Sequence, residues 1–114
     1  MTSRALVGAT VVWAVLVLAG TARAQETVLS GTVVDATDAV LPGVTVTALH
    51  IDSGNTFVGV TDASGQYRIG ALRTGGYKLT AELPGFTTAT RENVELLLGQ
   101  RAVVNLKLTL STVQ

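Results

Sequence analysis

The chain has 114 residues and balances eight Lys and Arg against eight Asp and Glu, with one histidine and no cysteine. Nucleic acid and anionic membrane surfaces both require a clustered positive field, and this composition supplies none. Without cysteine there is no disulfide staple and no thiolate chemistry, so a chain of this length must rely on one modest apolar core.

The first 24 residues read as a leader. Met1 to Arg4 carries a positive charge, Ala5 to Gly20 is uncharged and strongly apolar, and Ala22-Arg23-Ala24 places small side chains at the two positions a signal peptidase must accommodate. This predicts a secretory signal peptide over residues 1–24, cleaved after Ala24 with Ala22 and Ala24 as its recognition residues. An uncleaved anchor is the competing reading, but the run falls short of the roughly 20 apolar residues that span a bilayer. No cysteine follows the site to accept a lipid. Residues 25–114 then form the mature domain. It holds six basic side chains (Arg68, Arg73, Lys78, Arg91, Arg101, Lys107) and all the acidic ones, and is slightly acidic.

Beyond the leader the pattern is β throughout. Val28 to Val34 is rich in β-branched residues and runs into Asp35-Ala36-Thr37-Asp38, a strand closed by a turn. Leu41-Pro42-Gly43 follows. Pro42 fixes φ and Gly43 can take positive φ, which suits a corner. In Val44 to His50 the residues Val44, Val46 and Ala48 share one face and Thr45 and Thr47 the other, the period of a half-buried strand. Asp52-Ser53-Gly54-Asn55 is the next turn and Thr56 to Thr61 the next strand.

Asp62 to Gly65 predicts a tight reversal, with the Asp62 carboxylate accepting nearby N–H groups and Gly65 in the left-handed region. Gln66 to Ile69 returns. After Gly75-Gly76, expected to turn the chain, Tyr77, Leu79, Ala81 and Leu83 alternate with Lys78, Thr80 and Glu82. Pro84-Gly85-Phe86 marks another turn. Thr87 to Val94 is a weaker, more polar strand, and Val104, Leu106, Leu108 and Leu110 read as the inward face of a closing strand. Seven evenly spaced strands without a helical period predict an all-β, antiparallel sandwich.

The order Gly31-x-Val33-x-Asp35, Leu41-Pro42-Gly43-Val44-x-Val46, Thr61-Asp62-x-x-Gly65-x-Tyr67, Leu72-x-x-Gly75-Gly76-Tyr77 and Pro84-Gly85-Phe86 resembles the carboxypeptidase regulatory-like domain family. The resemblance covers about residues 27 to 110. It implies a transthyretin-like, seven-stranded Greek-key β-sandwich related to collagen-adhesin B-type repeats. The first turn departs from the family, reading Asp38-Ala39 where a glycine is frequent. The related adhesin repeats carry a Lys to Asn isopeptide bond. Here the first strand has no lysine, and Asn105 has the parity opposite to Leu106 and Leu108, which predicts a solvent-facing side chain and no such bond.

Candidates for chemistry are few. His50 ends a strand with Asp52 two residues on, but no serine or threonine sits in a Gly-x-Ser-x-Gly elbow, so a surface or partly packed histidine is expected rather than a base. A zinc site typically takes three protein ligands, and neither His-Glu-x-x-His nor cysteine is present. Asp35, Asp38, Asp52 and Asp62 lie at turns. Calcium needs six to eight converging oxygens, and local capping explains these aspartates better. No catalytic, cofactor or metal residue is therefore expected. The residues singled out, Pro42, Gly43, Asp62, Gly65, Gly76 and Gly85, are turn residues.

Sugar modules of similar shape stack rings on exposed aromatics. Trp13 falls in the leader, leaving Phe57, Tyr67, Tyr77 and Phe86, for which core and corner roles are expected. Carbohydrate is thus a minor candidate ligand. A leader followed at once by this domain resembles the start of Oar-like TonB-dependent outer-membrane receptors, implying a periplasmic accessory domain. Its partners would be the following receptor domains, and it would meet the membrane only through a barrel beyond this chain. A stand-alone secreted or periplasmic module, binding sugar or protein through an exposed edge at Thr87 to Asn93, is the alternative.

Overall fold

The computed structural model describes residues 26–111, and the expected leader with Ala22 and Ala24 lies outside the described residues. The strands are β1 (Thr27–Val34), β2 (Thr45–His50), β3 (Thr56–Val60), β4 (Gln66–Leu72), β5 (Gly75–Glu82), β6 (Phe86–Thr87), β7 (Ala89–Leu96), β8 (Arg101–Val103), β9 (Leu106–Lys107) and β10 (Thr109–Leu110). One sheet runs β4-β1-β8, with β9 continuing beside β1, and the other runs β3-β2-β5-β7. β6 and β10 form a separate two-stranded clasp, in which Leu110 pairs with Phe86. The chain is an all-β sandwich.

Period-two patterning builds the core from both sheets. Leu29 and Val33 of β1 and Tyr67, Ile69 and Leu72 of β4 meet Val46 and Ala48 of β2, Tyr77, Leu79 and Ala81 of β5 and Leu96 of β7 in a single apolar cluster. Their alternate neighbours face out, as Thr47 and Thr80 do. Burying each large aliphatic or aromatic side chain stabilises the fold by about 1.5–3 kcal/mol, the main compensation for ordering a chain with no cross-link.

The closing strand departs from the uniform antiparallel expectation. It is broken into β8, β9 and β10, and β8 and β9 run parallel to β1. At the break the Val104 carbonyl accepts a bond from the Tyr67 hydroxyl at 2.6 Å, while Val104 N donates to Ser30 O at 2.8 Å. The Asn105 side chain fills the gap, its Oδ1 accepting from Thr32 N at 3.0 Å. The parallel ladder resumes with Leu108 N donating to Val34 O at 2.8 Å. Leu106 and Leu108 are buried as the alternation predicts, whereas Leu110 leaves the core face for the clasp and is 72% exposed.

The break fixes a neighbour. A Cβ on Gly31 would lie 1.9 Å from Val104 O and 2.9 Å from the Tyr67 ring, so the inward turn of that carbonyl occupies the space a side chain needs.

Candidate functional site

The turn residues cap their own loops. Asp62 Oδ1 accepts from Ser64 N at 2.9 Å and Gln66 N at 3.0 Å, and Gly65 has φ +73°. Pro42 and Gly43 lead into β2, with Gly43 at φ +77° and its N–H donating to Thr61 O. Thr61 is buried at this corner, accepting from Val44 N at 2.8 Å and donating to Leu41 O at 2.6 Å. Gly85 takes φ +88° before the clasp. Gly76 differs from expectation: it is the second residue of β5, and Gly75 before it takes the positive φ, +133°.

Asp35 shows how completely one carboxylate is used. Its Oδ1 accepts from Thr37 Oγ1 at 2.6 Å, Thr37 N at 2.8 Å and Ala39 N at 3.1 Å, and the Thr37 hydroxyl leads in holding its pKa below the usual carboxylate value. Asp38, at φ +67° where a glycine was expected, pairs with Lys107 at 3.0 Å on the surface. Among the described residues no three His, Asp or Glu side chains converge as metal ligands.

His50 is the residue whose setting the sequence hid. It is buried, and its ring packs edge-on against Tyr77 at 5.1 Å. Nε2 lies 2.9 Å from Thr74 O, which can only accept, so Nε2 carries a proton. In the neutral ring Nδ1 then accepts from Ser53 Oγ at 2.6 Å and Ser53 N at 3.3 Å. Ser53, His50 and the Thr74 carbonyl thus stand in the order of nucleophile, base and orienting acceptor. The surrounding amides are already spent: Ser53 N on the imidazole, Gly54 N on His50 O and Asn55 N on Ser53 Oγ. The amides of Ser53, Gly54 and Asn55 are thus not free to hold an oxyanion. The trio ties the β2–β3 turn to the β4–β5 turn, and the Tyr77 hydroxyl, donating to Arg73 O at 2.8 Å, adds a second tie there.

Two grooves lie on the surface. One, of about 600 Å³, crosses the outer face of the β1 sheet between Val60 and Val103 and presents Ser30, Thr32, Gln66, Arg68 and Asn105. The other, of about 560 Å³, lies near the β7 edge and presents Asp52, Lys78, Glu92 and Glu95. Tyr67 lines the first and Tyr77 the second, but among the described residues neither groove presents an exposed aromatic ring. Tyr67 and Tyr77 are buried, and Phe57 and Phe86 are half-buried against the core.

Tyr67 gives the chain an alkaline limit. Burial pushes its phenol up to about 12, with Arg91 opposing the shift. Because the folded value is raised, its contribution is whole below the unfolded value near 10 and is lost as pH rises through about 12. Denaturant midpoints measured from pH 9 to 12 should fall for the wild-type chain. Tyr67→Phe should start about 1 kcal/mol lower, from the lost bond to Val104 O, and fall less steeply. Equal slopes would remove Tyr67 as a cause.

No curated protein matches the chain. The fold is shared with solved structures at low identity. These include catechol 1,2-dioxygenase of Acinetobacter radioresistens (12% identity, TM-score 0.60, covering 79% of this chain and 53% of that one). A type II cohesin–X-dockerin complex of Acetivibrio cellulolyticus also matches (22%, 0.59, 72% and 56%), as does the minor pilin GBS52 of Streptococcus agalactiae (16%, 0.59, 80% and 47%). This chain spans about half the length of those chains, so the likeness is one of fold. The family is decided by sequence, since one family model spans residues 28–109 and takes in the strands and turns described above. The chain belongs to the carboxypeptidase regulatory-like domain family.

Proposed function

We propose that this chain is an exported, non-catalytic β-sandwich module, the periplasmic N-terminal accessory domain of a TonB-dependent outer-membrane receptor. The observation that carries the reading is the order of its parts: a leader-like segment stands directly ahead of a domain of this family. The absence of catalysis is supported by how the polar side chains are spent. Asp35, Asp62, Thr61 and His50 all cap turns or tie corners, and the backbone amides of residues 53–55 beside the one Ser–His pair are already bonded. Substrate handling would then belong to the receptor beyond this domain.

This chain has no cysteine, so Ser64→Cys at the exposed β3–β4 turn gives the module its own thiol to label, read on the module's own peptide. A membrane-impermeant maleimide should label it only after the outer membrane is opened. Labelling in intact cells would place the module outside and favour the stand-alone secreted reading.

A further inference from the structure

The four sheet edges are not equally defended. β7 carries a bulge in which Glu92 and Asn93 stand opposite Lys78, with Asn93 at φ +59°. Arg91, in register with Leu79, reaches toward the other sheet and donates to Asn105 O at 3.4 Å. β4 is bulged at Ala71 (φ +55°), whose N–H is taken by Glu26 Oε1 at 2.8 Å. The β8–β9 edge is broken and carries Arg101 and Lys107. Bulges, inward charges and interruptions are the devices that stop edge-to-edge pairing.

β3 has none of them. Thr56-Phe57-Val58-Gly59-Val60 is uncharged and pairs with β2 in unbroken register. The bonds from His50 N to Asn55 O and from Thr61 N to Val44 O set the phase of that ladder. Residues 55, 57, 59 and 61 therefore turn their amides toward β2, and Thr56, Val58 and Val60 turn theirs to the open edge. Val58 and Val60 are each 58% exposed. β4 already closes the inner side, since a Cβ on Gly59 would meet the Ile69 side chain at 2.9 Å. Among the described residues nothing pairs with the edge or covers the outer face.

We infer that β3 is a self-association edge, pairing antiparallel with β3 of a second copy about a two-fold axis at Val58. Val58 then faces its own counterpart and Thr56 faces Val60, so β-branched residues oppose β-branched residues and no like charges meet. Three outward-facing residues on each strand give about six N–H···O bonds. The two β3-β2-β5-β7 sheets merge into one continuous sheet. So narrow a contact makes a weak dimer, at the low end of interface size.

Sedimentation of the whole chain up to about millimolar concentration should show mass approaching twice the monomer. Val58→Pro removes only an outward N–H, a tolerated place for proline on an edge strand. It should stay monomeric with its melting temperature little changed. A second variant covers the case in which that one misfolds: Val58→Cys should form a disulfide-linked dimer under mild oxidation, whereas Thr90→Cys on β7 should not. A wild-type chain that stays monomeric throughout, a folded Val58→Pro that dimerises like wild type, or equal cross-linking of the two cysteine variants would overturn the inference.

Discussion

Gly31→Ala is expected to unfold the domain. The new methyl group would meet the Val104 carbonyl oxygen at 1.9 Å and carbon at 2.7 Å, both backbone atoms fixed by bonds to Tyr67 and Ser30. Relief requires pushing the β8–β9 break outward, which forfeits those bonds along with the overpacking cost. Overpacking costs about 1–3 kcal/mol, and the two lost bonds add about 0.5–1.5 kcal/mol each. The total, about 2–6 kcal/mol, is enough to unfold a small domain whose stability lies at the low end of the roughly 5–15 kcal/mol native domains hold. Gly76→Ala is the control, since its Cβ would meet only Glu95 Oε1 at 3.6 Å and its φ is not positive. Thermal melts of the two variants should separate widely. A Gly31→Ala domain that melts like Gly76→Ala would mean the break at Val104 yields freely.

Tyr77→Ala should cost about 3–5 kcal/mol. The ring is fully buried, packs edge-on to His50 and lies 6.3 Å from Phe57, and its hydroxyl bonds Arg73 O. Removing it leaves a cavity beneath the β4–β5 turn and frees the imidazole on one side. Tyr77→Phe keeps the packing and should lose only about 1 kcal/mol. Urea denaturation of both variants checks this. Similar losses in the two would transfer the weight from the ring to the hydroxyl.

These two positions show what the sequence made legible. The face of β5 carrying Tyr77, Leu79 and Ala81 follows from alternation, and the Asp62 to Gly65 reversal follows from turn chemistry, because both are set by neighbours in the chain. The sandwich itself rests on such local signals. Gly31 entered the sequence reading only as part of the Gly31-x-Val33-x-Asp35 motif, with no turn to explain it: what demands it is Val104, far along the chain, brought alongside by the parallel pairing of β8 with β1. The same nonlocality broke a closing strand whose alternation looked continuous. His50 seemed to lack a nucleophile because no motif surrounds Ser53, yet the turn folds its hydroxyl onto the ring. Gly76 was singled out as the turn residue of the Gly75-Gly76 pair, but it is Gly75 that takes the positive φ, +133°, and sits where a Cβ would lie 2.8 Å from the His50 ring. The edge expected at Thr87 to Asn93 exists only from Ala89 onward, within β7, because Thr87 belongs to β6 and pairs with Thr109, and the bulge and Arg91 of β7 could be seen only in register.

The measurement that bears most directly on the receptor reading is the intact mass and cellular location of the native polypeptide containing Gly31 to Leu110. The account predicts a large outer-membrane species whose N-terminal peptide begins at Gln25. A small soluble species ending close to this domain would contradict it and leave the module to act alone.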